Sequence, residues 1–230
     1  MSGQRVVVIG ATGMVGGAAL RQALASAEVA EVTVIGRRAC EVQDAKLRER
    51  IHADFLRYEP VADALADQDA ALFCLGAYTG TLPDDQFKRL TVDVPLAFAR
   101  ALLVRSPNVR FSLLSGQGAD RSERARMPFA RYKGAVENGL LELDFAGLYL
   151  FRPAYIYPVQ ARREPNAMYR VARALYPVVR RLSPNAAITS EELAGAMLHA
   201  GLHGLGPDPR VTLENRDIRA LARRLAAGGA

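Results

Sequence analysis

A glycine-rich turn near the start of the chain constrains its fold most. The short, β-branched apolar run Arg5–Ile9 (RVVVI) is followed by glycines at 10, 13 and 16 and then by an alanine- and leucine-rich stretch to about Ser26. Strand, glycine turn and helix in this order are the context in which such a motif binds a dinucleotide. The glycines permit a tight turn, close approach of the backbone to a pyrophosphate, and contact between helix and strand. The free N–H groups and positive dipole end of the helix would face the phosphates. We predict a phosphate-binding turn made by Gly10, Thr12, Gly13, Met14, Val15 and Gly16.

Strand and helix candidates alternate along most of the chain. The pattern predicts strands at Val32–Ile35, Arg50–Asp54, Ala70–Leu75, Val109–Leu114 and Leu148–Tyr157, and helices at Pro60–Ala66, Pro83–Val104 and Pro128–Asp144. We expect Pro95 to kink or divide the second of these helices. Such alternation implies βαβ units, a parallel sheet and helices on both of its faces. The predicted fold is therefore α/β, a Rossmann-type doubly wound parallel sheet.

The pattern changes after Tyr157. Residues 166–183 are basic and helical in pattern, Thr189-Ser-Glu-Glu192 is typical of a helix N-terminus, and Val211–Leu213 and Asp217–Ala226 suggest a last strand and helix. We expect a small helical C-terminal cap over the crevice at the strand carboxyl ends. The chain then forms one domain, 1–230, with a core at about 1–157 and a substrate-side cap at about 158–230. We expect the arginines of the helix at 166–183 to lie on a solvent-exposed face rather than to form a basic lid that attracts an anionic substrate.

Composition excludes several classes of protein. Of 230 residues, 50% are hydrophobic and 23% are charged, which does not fit a disordered or collagen-like chain. No apolar run approaches the roughly 18 residues of a membrane span, and we recognise no cleavable signal. Two cysteines predict reduced thiols and a cytoplasmic location. The net charge is +6, but the basic residues are dispersed, which disfavours nucleic acid as a partner. Monomer and homodimer both stay open.

The end of the second predicted strand suggests which nucleotide binds. An NAD site usually has a carboxylate here that accepts the ribose hydroxyls. This chain has Gly36-Arg37-Arg38 instead. Guanidinium groups pair with phosphate in a bidentate manner. Arg37 and Arg38 therefore favour NADP(H), with its 2′-phosphate, over NAD(H).

Several motifs together resemble the atypical short-chain dehydrogenase/reductases, and most closely the Tat-interacting-protein-like and NAD-dependent epimerase-like branch. The motifs are GATGMVG at 10–16, Asp54, Cys74-Leu75-Gly76, SGQGAD at 115–120, KGAVE at 133–137 and Arg152-Pro153 with the following AYIY. The resemblance implies that Asp54 meets the adenine and that Leu75 and Gly76 lie beneath the cofactor. It also implies that Pro153 lies beside the nicotinamide and that Lys133 holds the ribose.

The same resemblance implies a Ser-Tyr-Lys set that moves a proton at the substrate oxygen. Lys133 fits this set, but the tyrosine position four residues earlier is Phe129, and Gly116 takes the place of the catalytic serine next to Ser115. We therefore name Lys133, Ser115 and Tyr155 as candidate catalytic residues. Tyr132 is about 100° away from Lys133 on the helix and should point elsewhere.

Two functions stay open on this basis. The first is an NADP(H)-dependent oxidoreductase with an unknown small-molecule substrate, for which a flavin or quinone acceptor would need no tyrosine donor. The second is an inactive NADP(H) sensor or scaffold, which the missing tyrosine favours.

His199 and His203 have zinc-ligand spacing, but no third ligand is evident, so we predict no metal site.

Overall fold

The computed structural model describes residues 3–77, 80–160 and 186–228, so the predicted basic helix at 166–183 lies outside the described residues. The strands are β1 (Gln4–Ile9), β2 (Val29–Gly36), β3 (Leu47–Ile51), β4 (Ala70–Phe73), β5 (Arg110–Leu114), β6 (Gly147–Arg152), β7 (Tyr155–Tyr157), β8 (Ala187–Thr189) and β9 (Arg210–Glu214). The helices are α1 (Met14–Ala25), α2 (Asp84–Lys88), α3 (Val94–Arg105), α4 (Pro128–Leu141), α5 (Ser190–His203) and α6 (Asn215–Gly228). A 3₁₀ helix spans Glu59–Leu65, and a π-helical turn spans Arg89–Asp93.

Seven strands form one parallel sheet in the order β3-β2-β1-β4-β5-β6-β9. The order reverses between β1 and β4, and this crevice is where open α/β sheets bind ligands. Strands β7 and β8 pair in a separate two-stranded sheet. The α/β, Rossmann-type prediction is confirmed.

Both faces of the central part of the sheet are buried, which is why strands such as β4 and β6 are continuous apolar runs rather than alternating ones. In β1, Val6 and Val8 face one core, which is formed with α1, α5 and α6. Val7 and Ile9 face the other, which is formed with the 3₁₀ helix, α3 and α4. Helices therefore cover both faces, as doubly wound topology requires.

Several predicted element bounds need correction. Strand β3 begins earlier than the predicted Arg50–Asp54, and the sixth strand divides at Pro153 because proline cannot donate to a ladder. Helix α4 ends at Leu141 rather than Asp144. The predicted helix at Pro83–Val104 is divided next to Pro95, as expected: a π-helical turn separates α2 from α3, and Pro95 lies in the first turn of α3, where no N–H is needed.

The described part of the C-terminal segment is built into the core. The capping box at Thr189 and Glu192 starts α5 as predicted, with the Thr189 side chain accepting from the Glu192 N–H at 3.1 Å. Helix α5 packs on α1, β4 and β5, and β9 extends the sheet beside β6. Residues 186–228 thus complete the sheet and one helical layer. The division of one domain into 1–157 and 158–230 stays a prediction. None of the described helices is long and apolar enough to cross a membrane.

Candidate active site

The glycine turn connects β1 to α1 at the carboxyl edge of the sheet. Gly10 has φ +85°, a conformation that favours glycine, and a Cβ there would lie 2.7 Å from the Leu75 nitrogen. A Cβ at Gly16 would lie 2.2 Å from the carbonyl oxygen of Gly10, so α1 can approach β1 only because this residue is glycine. Gly13 caps the helix in an extended conformation, its N–H donating to the Gly10 oxygen at 2.8 Å.

The N-terminus of α1 is suited to hold an anion. No side chain caps it, and its first turn contains no acidic residue. The first N–H groups of a helix have no partner within the helix, and they carry the positive end of its dipole. The backbone cradle thus fits a pyrophosphate, as the sequence predicts.

A cavity of about 410 Å³ opens beside this turn. Thr12, Gly13, Arg21, Arg38 and Glu41 are among the residues that line it. Arg38 reaches it from the end of β2, so an exposed guanidinium and the glycine turn share one space. Arg37 is exposed next to Arg38. The cavity therefore holds an exposed guanidinium, that of Arg38, and one carboxylate, that of Glu41, beside the glycine turn.

The other predicted cofactor contacts also follow the ends of strands. Asp54 is exposed beyond β3, and its carboxylate accepts from the Leu56 N–H at 3.1 Å. Leu75 and Gly76 follow β4, where Gly76 has open space around its Cα. Pro153 lies between β6 and β7, and its carbonyl oxygen accepts from the Gln117 N–H at 2.9 Å. Because all these strands are parallel, the fold brings the predicted residues to one edge.

Lys133 reaches the same edge from α4. Its Nζ donates to the carbonyl oxygen of Leu114, the last residue of β5, at 2.9 Å. Desolvation lowers the pKa of Lys133 to about 8, although the nearby Glu137 carboxylate works in the opposite direction. At neutral pH the amine therefore stays mostly protonated, but by a smaller margin than an ordinary lysine.

Glu137, for which the sequence predicts no role, is the centre of a charge network. Its carboxylate is fully buried; it accepts from the Ser115 hydroxyl at 2.5 Å and from the guanidinium groups of Arg121 and Arg152. Arg152 also pairs with Glu214 at 3.1 Å. Burial alone would raise the pKa of Glu137, but the bonds from Arg152 and Ser115 outweigh it and hold the pKa below its usual range. The network joins the ends of β5, β6 and β9 to α4.

A tight backbone contact fixes α4 against the loop after β5. A Cβ at Gly134 would lie 1.7 Å from the carbonyl oxygen of Asp120, so only glycine fits there. The Asp120 side chain in turn accepts from the N–H groups of Ser122, Arg124 and Ala125. Gly134 of the KGAVE motif and Asp120 of the SGQGAD motif therefore have structural roles, in addition to the candidate catalytic role of Lys133.

Phe129 lies directly against Gly116. A Cβ at Gly116 would be 2.5 Å from Cζ of the half-buried Phe129 ring. The two positions that the resemblance assigns to the proton-transferring tyrosine and serine therefore do face each other. Neither side chain carries a polar hydrogen.

The two other tyrosines have different surroundings. Tyr132 is buried, donates its hydroxyl hydrogen to Asp84 at 2.6 Å and packs against Phe87, so it holds α4 to α2 as expected of a residue pointing away from Lys133. Tyr155 is half-buried in β7, two residues beyond Pro153. Its role as a candidate catalytic residue stays a prediction.

No group of three or more His, Cys, Asp or Glu side chains that could hold a metal occurs among residues 3–77, 80–160 and 186–228. The His199 and His203 rings contact each other with centroids 4.7 Å apart, and His203 lies 3.3 Å from Glu28.

The chain is similar to proteins of known family. A family model described as NAD(P)H-binding matches residues 10–140. Protein HTATIP2 of Rattus norvegicus is 30% identical over 160 residues, which cover 68% of this chain and 64% of that protein. Protein fmp52, mitochondrial, of Emericella nidulans is 30% identical over 212 residues, covering 87% and 88%.

Solved structures share the fold at low identity. Gre2 of Candida albicans in complex with NADPH has a TM-score of 0.71 and 13% identity, covering 92% of this chain and 78% of that one. WbmG of Bordetella bronchiseptica in complex with NAD has a TM-score of 0.67 and 14% identity, covering 100% and 79%. The matched segment holds the glycine turn, Arg38 and Lys133, and the chain belongs to the NAD(P)H-binding family of Rossmann-fold proteins.

Proposed function

We propose that this protein is an NADP(H)-dependent oxidoreductase of the atypical short-chain dehydrogenase/reductase class, acting on a small molecule. The observation that carries the proposal is the shared cavity of Arg38, Thr12 and Gly13 at the N-terminus of α1. When bound there, the nucleotide would supply a hydride. The glycine turn would hold its pyrophosphate, Arg37 and Arg38 its 2′-phosphate, and Asp54 its adenine. Leu75, Gly76, Lys133 and Pro153 would hold its nicotinamide half.

The preference for NADP(H) over NAD(H) rests on a balance of charges. Arg38 and Arg21 line the cavity together with one carboxylate, that of Glu41. A carboxylate would favour ribose hydroxyls, whereas guanidinium groups favour a phosphate. Arg21 is already paired with Glu191 at 3.0 Å. Arg37 and Arg38 are both exposed at the end of β2 and together outnumber Glu41, so the balance supports NADP(H).

Calorimetric titration with NADPH and NADH tests this preference. We expect NADPH to bind more tightly and the preference to fall by on the order of 10- to 100-fold in R37A/R38A, because hydrogen bonds to charged groups are worth about 1.5–3 kcal/mol each. The matched control is R223A, which removes an exposed arginine of α6. A preference for NADH, or equal loss in the control, contradicts the assignment of the two arginines.

A second candidate function is an NADP(H) sensor or scaffold without turnover. Phe129 and Gly116 favour it, because the positions that would donate and hold a proton are apolar. The two functions differ in one measurement: an oxidoreductase consumes NADPH when an acceptor is present, whereas a sensor binds NADPH and leaves it unchanged. Ser115 has its hydroxyl hydrogen bonded to Glu137, so it would position rather than donate.

We also propose a cytoplasmic location and a monomeric or homodimeric state. The thiols of Cys40 and Cys74 are free, which supports a reducing compartment such as the cytoplasm. The name of the related fmp52 protein of Emericella nidulans includes the word mitochondrial. Microscopy of the tagged protein tests the first proposal. Light scattering tests the second.

A further inference from the structure

A second cavity, of about 590 Å³, opens between the end of α5, β9 and α6. Cavities that hold small molecules commonly have volumes of about 300–1,000 Å³. This cavity shares no lining residue with the one beside the glycine turn. A molecule bound here would therefore leave the proposed nucleotide site unoccupied.

The wall of this second cavity is aliphatic. The loop after α5, the strand β9 and the helix α6 contribute its apolar side chains, which are Leu205, Val211, Leu213, Ala220, Leu221 and Leu225. Leu213 and Leu221 are buried, and the other three large side chains are partly buried against the core. None of the described residues that line the cavity is Phe or Tyr. Such a wall suits a saturated chain better than a flat ring, which gains most from stacking on another ring.

Two of the polar side chains that line the cavity already have partners. The Thr212 hydroxyl accepts from the Arg121 guanidinium at 2.6 Å. The Asp217 carboxylate lies 3.6 Å from the Arg216 guanidinium, which compensates its charge. These two groups therefore have little capacity left for a ligand.

The two remaining polar side chains, Arg224 of α6 and His199 of α5, are differently placed. Arg224 forms no ion pair with a carboxylate in the described part of the chain. Burial lowers the pKa of the His199 imidazole, and the charges of His203 and Arg224 lower it further, although Glu28 works in the opposite direction. At neutral pH His199 is therefore mostly uncharged, and it offers a hydrogen bond beside the guanidinium. The cavity thus combines an aliphatic wall with one uncompensated positive charge.

We propose that this cavity is a second ligand site, which binds a medium-chain aliphatic carboxylate. The chain lies along the leucine and valine side chains of α6 and β9, and the carboxylate pairs with Arg224. Guanidinium and carboxylate groups match each other in a bidentate geometry, and removal of CH₂ groups from water supplies most of the affinity. The inference goes beyond the proposed oxidoreductase function and does not depend on it.

The first test locates the site by NMR. Sodium octanoate is titrated into the ¹⁵N-labelled protein, and hexanoate and decanoate are compared with it. We expect saturable shifts of the backbone amides of Gly204, Gly206 and Thr212, and an affinity that rises about 2- to 4-fold for each added CH₂ group. Shifts at Gly13 and Arg38 that NADPH abolishes would overturn the inference, because the carboxylate would then bind at the glycine turn. The absence of saturable shifts up to about 10 mM would overturn it as well.

The second test separates the charge from the apolar wall. R224A should weaken octanoate binding about 2- to 5-fold, the effect of losing an exposed ion pair, and leave binding of uncharged 1-octanol unchanged. L225A should weaken both ligands about 3- to 10-fold, because it removes part of the wall that both contact. The matched control is R223A, which removes an exposed arginine of the same helix that does not line the cavity.

Three results of the second test would contradict the site. Equal effects of R224A and R223A on octanoate would exclude Arg224 as the carboxylate partner. Unchanged affinities in L225A would exclude the aliphatic wall. Weaker NADPH binding in R224A would mean that the two cavities are not separate. A failure of the protein to bind NADPH, in contrast, would refute the proposed function and leave the second site standing.

Discussion

The role of each glycine in the turn follows from the backbone conformation and the space at that residue alone. Gly10, Gly13 and Gly16 could be assigned from sequence because their spacing is local and each need is a property of the residue itself. The role of Glu137 could not be assigned in this way. Its partners Ser115, Arg121 and Arg152 lie up to 22 positions away on other elements, and no local pattern shows that they meet.

Gly16→Ala tests the closest contact of the turn. The new Cβ would meet the Gly10 carbonyl oxygen at 2.2 Å, so α1 must shift away from β1. We expect a loss of about 1–3 kcal/mol in the free energy of unfolding, as in other overpacked sites, and weaker NADPH binding. Urea denaturation and calorimetry measure the two effects. The control Gly228→Ala meets open space and should leave both nearly unchanged; an unaffected Gly16→Ala variant would contradict so close an approach of α1 to the turn.

Lys133 makes stability depend on pH in a definite direction. Its pKa falls from 10.5 to about 8 in the fold, so unfolding takes up a proton between these values. Raising the pH through this window therefore favours the folded state. Relative to K133M, the wild-type chain should gain free energy of unfolding as the pH rises from about 8 to about 10. Urea titrations of both proteins measure the difference, and a constant difference would show that the amine is not desolvated.

At the scale of elements, the sequence predicted the buried strands better than the edge strand. β1 and β4 are continuous apolar runs, and their burial on both faces explains the pattern. β3 lies at the edge and reads Leu-Arg-Glu-Arg-Ile, with few buried side chains. Pairing with β2, rather than its own composition, makes it a strand. The start of α5 was predicted correctly because a capping box is local.

Glu137 connects four elements, and E137Q tests that connection. The substitution removes the charge that compensates Arg152, whose side chain is only 15% exposed. Breaking a buried pair typically costs about 3–5 kcal/mol, so we expect a loss of this size in the free energy of unfolding. The matched control is D63N, which breaks the exposed pair with Arg50 and should leave the free energy of unfolding nearly unchanged. Equal losses in the two variants would mean that the buried network is no more important than a surface ion pair.

At the scale of the whole molecule, the parallel order of the strands brings the candidate site residues together, which no single motif could do. Seven parallel strands end at one edge, so residues from 10 to 153 converge on one crevice. The alternation of strands and helices was sufficient to predict this convergence. The sequence did not indicate that β9 would extend the sheet beside β6, because a predicted strand of three residues carries no information about its partner.

The packing of α5 on α1 has a consequence for how the chain acquires its structure. Arg21 and Gln22 of α1 bond to Glu191 of α5, about 170 positions away in sequence. Contacts of such separation are slow to form, because a long loop must close before they contribute. During synthesis, α1 emerges from the ribosome early, yet the part of its apolar face that packs on α5 has no cover until α5 follows. The nascent chain must therefore keep that part of the helix exposed for most of translation, and a chaperone has its longest opportunity to bind there.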